Sequence, residues 1–136
     1  MSSPPAPPVP SRGRTIAYWL ATLLVVFVFA YGGVLDLMRP PQVVEIMTRL
    51  GYPVYLCAIL GAWKLLGVIA LLLPRTPRLK EWAYAGIFFD LTGAAASHFA
   101  VQDSVTDIAT PIVIVVIAAA SWALRPASRR LAGRHF

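Results

Sequence analysis

The 136-residue chain is predicted to be all-α: an integral membrane four-helix bundle, with a short interfacial helix between the first and second spans. Three observations predict this. Four apolar runs, 16–35, 54–73, 82–101 and 108–124, each approach the roughly 20 residues that cross a hydrocarbon core. Hydrophobic residues make up 58% of the chain and charged residues only 13%, about half the usual charged share of a soluble domain. The basic residues gather at the ends of alternate runs. The net charge of +6 and the pI near 10.1 therefore point to membrane topology rather than to a nucleic-acid partner.

Before the first run, residues 1–14 form a Pro-rich arm. The stretch MSSPPAPPVPS has too many prolines for a helix and nothing to bury. Arg12 and Arg14 then precede the run like the n-region of a signal peptide. The run exceeds a typical h-region, however, and no A-x-A site follows, so the chain is expected to keep it as a span.

Pro40-Pro41 ends the first unit. In the segment 42–50 that follows, Val43, Ile46, Met47 and Leu50 recur at helical spacing, with Gln42, Glu45 and Arg49 on the other side. Nine residues cannot span, so this is the interfacial helix. Glu45 and Arg49 have the i,i+4 spacing of a surface pair. Gly51 is placed to end the helix as its C′ residue, and Pro53 enforces the stop. In the fourth run Pro111 falls in the first turn, where proline is tolerated.

Nine basic residues (Arg12, Arg14, Arg75, Arg78, Lys80, Arg125, Arg129, Arg130 and Arg134) flank the runs on one side, against Arg39 and Arg49 on the other. The positive-inside rule then expects both termini, including the basic tail 127–136, in the cytoplasm. Trp19, Trp82 and Trp122 near one boundary, and Tyr52 and Tyr55 near the other, fit an aromatic belt.

The most informative polar residues are Lys64 and Asp90, each near the middle of its run. Charges at that depth cost roughly 2.5–3.5 kcal/mol on insertion scales. An antiparallel hairpin turning near Pro77 brings the two to one level, so they are expected to pair. The pair either fixes helix register or floors a polar cavity that relays protons. Gly61 and Gly67 flank Lys64, and Gly86, Gly93, Ala94 and Ser97 lie near Asp90; such small residues predict close packing and a central third span. Glu81 reads as a carboxylate on the positive end of that helix. At the far end, His98, Tyr31, Asp36 and Tyr55 share a depth at which they could meet a quinone carbonyl or pass protons. Cys57 is the single cysteine, so no internal disulfide and no C-x-x-C pair exist, and it reads as a small buried apolar side chain. Haem and metal are not expected: His135 lies in the opposite tail, and no ligand cluster is evident.

Several stretches together resemble the DoxX-like family: Tyr31-Gly-Gly-Val-Leu-Asp-Leu, Leu50-Gly-Tyr-Pro-Val-Tyr-Leu, Leu60-Gly-Ala-Trp-Lys-Leu-Leu-Gly, Leu72-Leu-Pro, Leu79-Lys-Glu-Trp-Ala-Tyr-Ala-Gly, Phe89-Asp-Leu-Thr-Gly-Ala-Ala-Ala-Ser-His and Leu124-Arg-Pro. The resemblance covers about residues 18–126 and implies a small four-helix protein of the bacterial cytoplasmic membrane. It supplies no catalytic residues to carry over. What it implies is a non-catalytic accessory or scaffold subunit whose partners are the lipid bilayer, further copies of itself or a larger membrane redox assembly. A quinone-linked redox subunit, and a small carrier using Lys64 and Asp90, are the alternatives.

Overall fold

Ser11 opens the first helix. Its hydroxyl accepts the Arg14 backbone N–H at 3.2 Å, an N-cap that starts α1 (Arg12–Met38). The computed structural model describes residues 2–6, 9 and 11–131, so Met1, Pro7, Pro8 and Pro10 of the arm, and Arg134 and His135 of the tail, lie outside the described residues. Four more α-helices follow: α2 (Pro41–Arg49), α3 (Leu56–Leu72), α4 (Pro77–Ala100) and α5 (Val105–Ala123). A single 3₁₀ turn, Ala127–Arg129, comes after them. The described residues form no strand.

These helices coincide with the four apolar runs and the short amphipathic segment, but two boundaries differ. α1 begins at Arg12, inside the stretch read as the arm, because Ser11 caps it. α4 begins at Pro77, more than a turn before the apolar run, because proline is favoured at N1, where its missing N–H costs nothing.

α2 stops as expected. Gly51 adopts φ +83°, the Tyr52 N–H reaches the Met47 carbonyl at 2.9 Å, and the Gly51 N–H reaches that of Thr48 at 3.1 Å. This is a Schellman turn with glycine at the left-handed position. α4 ends in the same turn with Gln102 (φ +57°) in glycine's place: the N–H of Asp103 meets the His98 carbonyl and that of Gln102 meets Phe99.

The four long helices close into a ring in the order α1, α3, α4, α5, each packed on two neighbours. Val25, Phe29, Leu71, Tyr84, Ile87, Leu91 and Ala118 fill its centre. Three hydroxyls cross that core: Thr22 Oγ1 lies 2.6 Å from Ser121 Oγ, which lies 2.7 Å from the Tyr84 hydroxyl, tying α1, α5 and α4 together. α1 and α3 approach closely at two glycines. A Cβ added at Gly61 would stand 2.8 Å from the Gly33 carbonyl oxygen, so only glycine fits. Gly67, Gly86 and Gly93 face open space instead. The close packing expected of these three is corrected: their missing side chains leave cavities. α4 is likewise not central but one member of the ring, with Trp82, Phe88, Phe89 and Phe99 exposed.

The termini of the bundle meet at one end. Arg14 donates to the Ala123 carbonyl at 3.0 Å and Arg129 to that of Leu71 at 2.9 Å. Buried Lys80 donates to Ala70 O at 3.0 Å, to Leu73 O and to Thr76 Oγ1 at 2.9 Å. The basic residues that mark this end in the sequence are thus also the C-terminal caps of α3 and α5.

Two helices, α1 and α5, are long and apolar enough to cross a membrane; α3 is apolar but has 17 residues. Only 22% and 17% of the apolar windows of α1 and α5 are buried, so most of that surface faces outward rather than into a core.

Candidate functional site

Lys64 on α3 forms its ion pair with Asp36 on α1, Nζ to Oδ2 at 2.7 Å, both side chains largely buried. The pairing expected with Asp90 is therefore corrected: among the described residues Asp90 has no ion-pair partner within 4.0 Å. Depth arithmetic places Lys64 and Asp90 at one level but says nothing of rotation about each helix axis. The Gly33–Gly61 contact settles the rotation, since Asp36 and Lys64 each lie three residues beyond one of those glycines. The helices are antiparallel and side chains lean toward their own N-termini. Lys64 and Asp36 consequently lean toward each other.

A cavity of about 360 Å³ opens at the α2 end of the ring. Its polar lining is Asp36, Lys64, Asp90, His98, Tyr52 and Ser97, while Val43, Ile46 and Met47 of α2 and Leu50 at its C-terminal cap supply apolar cover. The apolar stripe of the short helix is thus laid over the polar groups of the bundle. Size and composition suit a small-molecule site, a mainly apolar hollow with a few convergent polar groups.

His98 is held by Asp103, Nδ1 to Oδ2 at 2.6 Å. A carboxylate only accepts, so Nδ1 carries the proton and Nε2 is the ring nitrogen left for a ligand. The left-handed Gln102 makes this possible by folding Asp103 back over the end of α4. Arg49 Nη2 joins the same Asp103 oxygen at 3.2 Å, tying α2 to the loop after α4. The Glu45–Arg49 surface pair is accordingly replaced by Arg49–Asp103. The His98 hydrogen bond holds the Asp103 carboxyl below its ordinary value, with Arg49 adding to this and partial burial opposing it. The Ser97 hydroxyl gives its one proton to the Gly93 carbonyl at 2.7 Å, so the Tyr52 hydroxyl donates to Ser97 at 2.6 Å.

The expected outer cluster is half assembled. His98 and Asp36 share the cavity. Tyr31, 61% exposed and stacked on Phe27, and Tyr55, 67% exposed, point away from it. Tyr52, Ser97 and Asp103 take part instead. Tyr52 carried a readable signal, because the Gly51 turn aims the next residue back over the bundle. Glu81 is at the other end, away from this cavity. It lies in the second turn of α4 rather than at its tip, and accepts from Arg125 and, at 3.1 Å, from Trp122 Nε1. It locks α4 to α5 rather than capping a dipole. Cys57 is buried, as expected.

The DoxX-like family model matches residues 20–121, which spans α2, the cavity and all the groups that line it. The chain belongs to the DoxX-like family. No curated protein matches it, and no solved structure does. Within this DoxX-like chain the matched span omits Ser11, Arg14 and Arg129, whose contacts close the basic end.

Proposed function

We propose that this DoxX-like chain is an integral membrane protein whose four long helices all cross the bilayer, with both termini cytoplasmic. It serves as a non-catalytic accessory subunit that holds a small lipid-soluble ligand in the cavity beneath α2. The single observation that carries the reading is the convergence of the Lys64–Asp36 pair, Asp90 and His98 in one hollow covered by an amphipathic helix. Outward-facing apolar residues such as Leu20, Leu24 and Phe27 on α1 and Ile112, Val113 and Val116 on α5 supply the lipid contact.

A quinone head is the ligand class these groups suit. Its carbonyl oxygens need donors: the Lys64 ammonium is one, and the His98 ring offers Nε2–H as a second only when it is doubly protonated, since Nδ1–H is held by Asp103. The His98–Asp103 pair supplies a route by which a proton passes between the cavity and the loop. The chain's own part is to bind, orient and exchange protons, and any partner subunit would supply electrons.

A short-chain benzoquinone titrated into the detergent-purified chain tests this. Saturable binding is expected, weakened at least several-fold in His98→Ala. Absence of saturable binding, or equal affinity in the variant, overturns it. Topology is tested separately with Ser2→Cys and Ser128→Cys, each in a Cys57→Ala background. Both sites should resist an impermeant maleimide applied from outside the cell, and labelling of either overturns the orientation.

A further inference from the structure

A second, larger hollow of about 550 Å³ runs between α3 and α4. Trp63, Trp82 and Phe89 line it, and the bare backbones of Gly67 and Gly86, where a Cβ would meet nothing, keep it open. Lys64 and Asp90 line both hollows and stand at the neck between them. Lys64 is already committed to Asp36 at 2.7 Å. Two carboxylates thus face one ammonium, and among the described residues Asp90 is the one of the two without an ion-pair partner.

From this charge balance we infer that the α3–α4 groove is a binding site for a lipophilic organic cation, a quaternary onium bearing aromatic or alkyl groups. The inference rests on the membrane reading above but not on the quinone reading. A carboxylate at mid-depth in a bilayer is costly unless it takes up a proton or a cation meets it, and a cation in the groove competes with that proton. A permanently charged onium compensates Asp90 while its apolar substituents fill the groove. The aromatic rings of Trp63, Trp82 and Phe89 in the lining can attract the same charge, and aromatic walls are the common recognition element for quaternary ammonium. A small inorganic cation does not match, because it holds its water too strongly for an apolar groove. A neutral ligand leaves Asp90 to be neutralised by a proton alone, and an anion of the same shape gains nothing from a neck with two carboxylates to one ammonium.

The experiment measures binding of tetraphenylphosphonium to the full chain in mild detergent by equilibrium dialysis, with tetraphenylborate as the probe of like shape and opposite charge. Saturable binding of the phosphonium is expected, with affinity at least ten-fold lower in Asp90→Asn and unchanged in His98→Ala. Trp63 and Trp82 are exposed, so Trp63→Ala/Trp82→Ala keeps the fold and should weaken binding several-fold even if Asp90→Asn fails to fold. No saturable binding, equal binding of tetraphenylborate, or unchanged affinity in the double tryptophan variant overturns the proposal. Failure of the membrane reading would register instead in the maleimide labelling, and failure of the quinone reading in the benzoquinone titration.

Discussion

Lys64 reaches across from α3 to Asp36 on α1, and the two glycines at which these helices touch, Gly61 and Gly33, lie three residues before them. The glycine contact between α1 and α3 and the Lys64–Asp36 pair are therefore one device. Close approach without the pair would leave two charges uncompensated, and the pair without close approach could not span the gap.

Removing one partner of a largely buried pair strands the other, at a cost of about 3–5 kcal/mol. Lys64→Met and Asp36→Leu should each lower the unfolding midpoint in detergent, and together recover part of the loss. A double-mutant cycle should give a coupling of about 1–3 kcal/mol for Lys64 with Asp36. A larger coupling between Lys64 and Asp90 would show that Asp90 is the true partner.

Glycine substitutions should divide by contact. Gly61→Ala forces a methyl to 2.8 Å from the Gly33 carbonyl and should destabilise by about 1–3 kcal/mol through overpacking. Gly67→Ala and Gly86→Ala meet nothing and should be tolerated, with a gain of up to about 1 kcal/mol from helix propensity. Chemical denaturation of the three variants checks this, and equal losses in all three would refute it.

The hydroxyl chain across the core depends on its middle member. Ser121→Ala deprives Thr22 and Tyr84 together and should cost about 1–2 kcal/mol, whereas Tyr84→Phe removes one bond and should cost about 0.5–1 kcal/mol. Comparison of the two unfolding free energies reads the order directly.

Asp103 has a depressed pKa in the folded chain, so it is the protonated form that the fold disfavours. Its contribution is complete above the ordinary carboxylate pKa of about 3.9 and is lost as pH falls through the lower folded value. The unfolding midpoint should therefore drop on acidification below about pH 4, and Asp103→Asn should flatten that part of the profile. A variant with an unchanged acid limb would show that the His98 and Arg49 contacts carry no stability.

Gln102 holds a left-handed conformation that costs an L-residue roughly 1–2 kcal/mol. Gln102→Gly should relieve it, raising stability by about 0.5–1 kcal/mol after the entropy of glycine is counted. The turn that presents Asp103 to His98 should survive, so thermal unfolding should rise while benzoquinone affinity stays constant. A fall in stability would count against the strain.

Much of this was legible in the residues themselves. Apolar runs become helices because a chain this short of charge must satisfy its backbone internally. The segment 42–50 becomes an amphipathic helix because its apolar residues recur at 3.6, and it ends at Gly51 because only glycine turns left without cost. Flanking arginines and Lys80 mark the end where the start of α1 meets the stretch after α5, since the last carbonyls of α3 and α5 need donors. What periodicity cannot supply is azimuth between helices. Lys64 lies level with Asp90 yet binds Asp36, and Gly67 and Gly86 resemble packing glycines yet border a groove. Tyr31 and Tyr55 share a depth with His98 yet point away, while Tyr52, Ser97 and Asp103 reach its surroundings. Each of those outcomes follows from how the ring of helices is rotated. That rotation is set by long-range contacts, Gly33 on Gly61 and Ser121 between Thr22 and Tyr84, whose energies exist only once the helices have met.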